Sequence, residues 1–143
     1  EEGETPQQAA VREAVEELNI QPEQIDILGE IDYLVFERST IHCFVGRLNL
    51  DWMTIVPNEE VARIFTVPLS TLLTIQPVYY QLDSKVVPEC DFPFERLRGG
   101  ISYPFSHQKR SIPFYEQLPE NIWGMTAQFT HRFTEIINQQ TSP

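Results

Sequence analysis

The sequence predicts one domain of the α/β class. Three observations carry this. A helix-forming segment, Pro6–Leu18, opens the chain. Stretches rich in β-branched and aromatic residues follow, chiefly between Ile25 and Leu48. Apolar residues recur at helical spacing toward the end. A length of 143 residues and 16.6 kDa suits one domain rather than two. With 41% hydrophobic residues and nine Phe, the chain can bury a real core, so wholesale disorder is excluded.

The first helix is the best defined element. Thr5 is the expected N-cap, Pro6 suits the first helical position, and Gln8 completes a capping box. The segment is rich in Ala, Gln and Glu, which favour helix. Asn19 suits the left-handed position after the last turn, and Pro22 prevents continuation.

The predicted strands are Ile25–Ile31, Tyr33–Glu37 and Thr40–Leu48. Residues 49–60 are expected to form a loop, with Asp51, Pro57 and Asn58 as breakers. Ala62–Val67 is a further strand candidate, and Ser70–Leu73 a short helix after Pro68. Between 76 and 118 the pattern suggests short strands, Val78–Leu82, Phe94–Leu97 and Ile101–Phe105, with Gly99-Gly100 as a turn. The final helix is expected over Glu120–Asn138, because Ile122, Met125, Phe129, Phe133 and Ile136 recur every three or four residues.

Charge narrows the function. The net charge of −11 argues against a general nucleic-acid binder. No apolar run of about 18 residues exists, so no membrane-spanning helix is expected. Two Cys do not make a disulfide scaffold. Cys43 reads as a buried thiol in a strand, Cys90 is undetermined, and a reducing, cytoplasmic setting is the default. Residues 1–60 hold fourteen of the 21 Asp and Glu but only three of the ten Lys and Arg. The excess of negative charge is therefore confined to the first part of the chain.

On a helical wheel of about 100° per residue, Ala10, Val11, Ala14, Val15 and Leu18 share one arc. Glu13, Glu16 and Glu17 share another. Like charges one turn apart oppose helix formation, and Arg12 alone cannot neutralise three carboxylates. A bound divalent cation would, since Mg²⁺ takes oxygen ligands at close range. The alternative is a solvated acidic face with an Arg12–Glu16 pair. His42, His107 and His131 lack metal-ligand spacing.

These residues also form a motif. Glu4, seven residues, then Arg12-Glu13-Ala14-Val15-Glu16-Glu17-Leu18-Asn19-Ile20 resembles the Nudix box. Two departures stand out. The closing Gly of the pattern is Asn19 here, and the opening Gly would fall before residue 1. The resemblance implies a Nudix α/β/α sandwich with a mixed sheet, occupying 1–143. It further implies that the domain is incomplete at its start, that the strands preceding the helix are absent, and that the segment alone is poorly soluble or inactive.

The resemblance implies a metal-dependent hydrolase of nucleoside diphosphate derivatives. By position, Glu13, Glu16 and Glu17 would hold Mg²⁺ or Mn²⁺. Arg12 would orient a carboxylate, and Glu4 would support the site. Glu16 would also take part in the chemistry. The general base of such enzymes often comes from a later loop, and Pro57-Asn58-Glu59-Glu60-Val61 is the best local offer, with Glu60 preferred to Glu59.

Three downstream stretches resemble Nudix coenzyme A diphosphatases: Asn58–Val61 with Phe65–Leu69 and Leu72-Leu73; Gly99–Phe105; and Ile122–Ala127. Val67, Leu69, Trp123 and Met125 in them are expected to pack in the core. The branch implies cleavage of coenzyme A to 3′,5′-ADP and 4′-phosphopantetheine. Lys85, Arg96, Arg98, Lys109 and Arg110 are candidate phosphate partners. Another nucleoside diphosphate derivative, such as ADP-ribose, and a non-catalytic Nudix-fold binding module are the alternatives. The partner expected is a small molecule, neither nucleic acid nor membrane, and a homodimer is left open.

Overall fold

The computed structural model describes residues 3–36, 39–83, 87, 90–105 and 109–141. The chain divides into two compact units, one of residues 1–76 with 128–143 and one of residues 77–127.

In the first unit, helix α1 (Pro6–Leu18) has the predicted bounds. Its N-terminal amides are satisfied reciprocally, as a capping box requires: Gln8 N–H donates to Thr5 Oγ1 at 3.2 Å, and Thr5 N–H to Gln8 Oε1 at 2.9 Å. At the other end Asn19 adopts φ 52°, ψ 49°, and Ile20 N–H reaches back to the Val15 carbonyl at 3.2 Å. Ile20 is thereby turned into the interior, where it is 7% exposed.

The two predicted strands before residue 37 are one strand, β1 (Ile25–Phe36), paired antiparallel with β2 (Ser39–Leu48). β1 has 12 residues against ten in β2. The register slips between Ile27 and Gly29 and again between Glu30 and Asp32, so two bulges absorb the difference. Glu37, assigned to this strand by its pattern, lies outside the described residues. Opposed side chains stitch the ladder. Arg47 donates to Asp26 at 2.6 Å, holding that carboxyl below its usual range, and Tyr33 stacks on His42 with ring centroids 5.9 Å apart. Helix α3 (Gly124–Thr141) contributes Arg132, whose Nε lies 3.9 Å from Asp32 Oδ2 on β1.

Ala62–Val67 is not a strand. No ladder partner meets it among the described residues, and β-branched composition alone does not make a strand without one. The short helix after Pro68, α2, spans Leu69–Leu72.

In the second unit, β3 (Val78–Asp83) pairs antiparallel with β4 (Lys109–Phe114), a strand the sequence pattern did not reveal. Phe94–Leu97 and Ile101–Phe105 are not strands either. They contain 3₁₀ turns at Phe94–Arg96 and Gly100–Ser102, separated by Gly99 at φ 102°. Aromatic residues in and beside them pack edge-on: Phe92 on Phe94 and Tyr103 on Phe105, each at 5.0 Å. Tyr115 is fully buried.

The last helix starts at Gly124, not at Glu120. Before it, Trp123 bridges to Phe114 and the Ile122 carbonyl accepts from Tyr115 N–H at 2.9 Å, which keeps the backbone extended. Gly124, at φ 60°, makes the turn into the helix.

The α/β class holds. Among the described residues the strands form two separate two-stranded antiparallel sheets, without the parallel pairing of a mixed sheet. β1 and β2 are too close in sequence for the crossover that parallel partners require. A two-stranded sheet also covers little, and several residues expected in the core are exposed: Leu69 at 44%, Trp123 at 58% and Met125 at 46%. Val67 is half-buried. No helix among the described residues is long and apolar enough to cross a membrane.

Candidate metal-binding site

The acidic face of α1 is organised by one cation. Arg12 Nε donates to Glu4 Oε1 at 3.0 Å and Nη2 to Glu4 Oε2 at 3.3 Å. Its Nη1 lies 2.8 Å from Glu13 Oε1 and 3.4 Å from Glu16 Oε2. Glu4 precedes the helix, so the guanidinium ties the entering chain to the first two turns. The Glu4 carboxylate is the most sheltered member, with 14% of its side chain exposed against 57% for Glu13. The hydrogen bond from Arg12 holds the Glu4 carboxyl below the usual glutamate range. The same bonds, first from Glu4 and then from Glu13, secure the charge on Arg12.

Glu17 lies on the last turn of α1, where no basic residue offsets the helix dipole. The loop after β2 comes to this end of the helix. Asn58 N–H donates to the Glu17 carbonyl at 2.9 Å, and Glu60 N–H donates to Asn58 Oδ1 at 3.0 Å. Glu59 and Glu60 are both exposed. The sequence marked Asn58 as a breaker and as part of the acidic loop motif, but gave it no role of its own. The signal for more was its type, because Asn side chains accept from backbone amides two residues on.

The donor set fits Mg²⁺ or Mn²⁺ in kind. It is all oxygen, it is exposed on adjacent turns, and two of its carboxylates already flank a cationic group. Among the described residues no three His, Cys, Asp or Glu side chains converge as a ready chelate. Ligation by these glutamates would therefore need rotamer changes, which exposed side chains make readily.

His42 Nδ1 pairs with Glu30 at 2.6 Å across the β1–β2 ladder. His131 Nδ1 is buried, and its Nε2 is 3.8 Å from Glu135. Cys43 is half-buried, and burial pushes its thiol pKa up; Cys90 is exposed. Arg96, Arg98, Lys109 and Arg110 are exposed in the second unit. Arg96 lies 3.9 Å from Glu95. Lys85 and His107 lie outside the described residues.

A family model for the NUDIX domain matches residues 1–90. The chain belongs to the Nudix family. The match takes in α1, the β1–β2 ladder and the loop bearing Glu60. This Nudix chain is also similar to the uncharacterized Nudix hydrolase NudL of Photorhabdus laumondii, at 28% identity over 129 residues. Those residues are 90% of this chain and 58% of that relative, so the chain spans little more than half the length of the protein it matches.

Proposed function

We propose that this Nudix chain carries the catalytic helix of a metal-dependent hydrolase that cleaves the diphosphate bond of coenzyme A or its derivatives, giving 3′,5′-ADP and 4′-phosphopantetheine. The observation that carries the hydrolase reading is the grouping about one helix: Arg12 gathers Glu4, Glu13 and Glu16, and the loop with Glu60 is hydrogen-bonded to the last turn of that helix.

Glu13, Glu16 and Glu17 would hold Mg²⁺ or Mn²⁺. When bound, such an ion neutralises the diphosphate and lowers the pKa of water. The contacts of Arg12 support its role. Arg12 orients Glu13 and Glu16 from one side and is itself fixed by two bonds to Glu4. Glu60, at the helix end, takes the proton of the attacking water.

Coenzyme A is favoured by the stretches Phe65–Leu69, Tyr103–Phe105 and Ile122–Ala127, which resemble the diphosphatases of that cofactor. Its 3′-phosphate would be met by Arg or Lys side chains, each such charged hydrogen bond contributing about 1.5–3 kcal/mol. The test compares kcat/KM of the full-length protein for coenzyme A, dephospho-coenzyme A and ADP-ribose, each with Mg²⁺ and with Mn²⁺. Coenzyme A is expected to be the best of the three. Loss of the 3′-phosphate should lower kcat/KM about tenfold, or ~1.4 kcal/mol. Preference for ADP-ribose would overturn the coenzyme A assignment, and absence of any divalent-dependent cleavage would overturn the hydrolase.

A further inference from the structure

Asn58 makes three hydrogen bonds at the join between the carboxylate helix and the acidic loop. Its N–H donates to the Glu17 carbonyl at 2.9 Å. That carbonyl belongs to the last turn of α1 and has no acceptor role left within the helix. Its Oδ1 accepts from Glu60 N–H at 3.0 Å, and its own carbonyl accepts from Val61 N–H at 3.3 Å. The first bond fixes where the loop sits, and the other two fix how it bends.

The join attaches an acidic segment to an acidic helix end. Glu59 and Glu60 directly follow the amide that docks on the last turn of α1, a turn with no basic residue. Arg12 is already engaged with Glu4, Glu13 and Glu16. Docking an acidic loop there is explained if it serves the loaded site.

We propose that Asn58 is a positioning residue, which acts through the backbone of Glu60 to fix that residue at the end of α1. This rests on the hydrolase reading above. It requires a side-chain acceptor at position 58, not an amide as such. The backbone N–H that meets Glu17 survives any substitution but Pro, so side-chain variants isolate the second bond.

The experiment uses Asn58→Ala, which removes the acceptor, and Asn58→Ser, whose hydroxyl replaces it more weakly. In the metal-free protein, amide hydrogen exchange at Glu60 should quicken several-fold in Asn58→Ala, as expected for losing a bond of ~1 kcal/mol. The amides of α1 should be unchanged, and Asn58→Ser should fall between Ala and wild type. With Mg²⁺, kcat should drop about 10- to 100-fold in Asn58→Ala with KM nearly constant. In a Glu60→Gln background, Asn58→Ala should add no further loss, because both changes act on one group.

Unchanged exchange at Glu60, unchanged kcat in Asn58→Ala, or a full additive loss on Glu60→Gln would each overturn the proposal while leaving an active hydrolase. A full-length wild-type protein without divalent-dependent turnover would overturn the hydrolase reading and this role together.

Discussion

Arg12 holds Glu4 through two nitrogens, Nε at 3.0 Å and Nη2 at 3.3 Å, across the first two turns of α1. The planar guanidinium satisfies both carboxylate oxygens and leaves Nη1 for Glu13 and Glu16. A lysine ammonium is a point charge and cannot hold both sides at once. Arg12→Lys should therefore keep the helix but lower divalent-dependent turnover about 10- to 100-fold, the range found when groups supporting metal ligands are lost. Helicity by circular dichroism beside steady-state kinetics checks it. Wild-type turnover in Arg12→Lys would show that the fork geometry is immaterial.

The same pair predicts a pH dependence of stability. Arg12 lowers the Glu4 pKa in the folded chain below its ordinary value of 4.5. The unfolded chain then binds this proton more tightly, so stability rises with pH across the window. The contribution is complete above about 4.5 and is lost as pH falls through the folded-state value. Urea unfolding of wild type and Glu4→Gln in metal-free buffer should show a difference at pH 7 that vanishes in acid. A difference independent of pH would contradict the assigned cause.

Glu16→Gln and Glu17→Gln should separate chemistry from folding. Each removes one charge from a crowded face, which relieves repulsion in the metal-free helix. Thermal stability without metal should hold or rise slightly, while turnover should fall by orders of magnitude. Full Mg²⁺-dependent activity in both variants would remove these residues from the site.

Asn19 closes α1 in the left-handed region, where the family pattern has Gly. Asn19→Gly should be neutral or slightly stabilising, since Gly takes this conformation freely. Asn19→Ala should cost roughly 1 kcal/mol, because a Cβ is disfavoured there. Chemical denaturation of the two variants gives the comparison. Equal stability of the Ala and Gly variants would argue against the strained cap.

The sequence by itself determined α1 from N-cap to terminator and the face its glutamates share. Thr5, Gln8, Arg12, Glu16 and Asn19 meet residues three to five positions away, and helical geometry makes those meetings local. It also placed β2 to within one residue, since strands adjacent in sequence commonly pair with each other. Only the tertiary structure decided that Ala62–Val67 is not a strand, that Lys109–Phe114 pairs with β3, and that Trp123 is held extended against Phe114. Each outcome depends on whether a distant segment supplies a ladder partner, which local composition does not encode. The meeting of Asn58 with Glu17 is of the same kind. A backbone amide bonding a carbonyl some forty positions earlier in the chain leaves no trace in residue type, because every residue but Pro offers that donor.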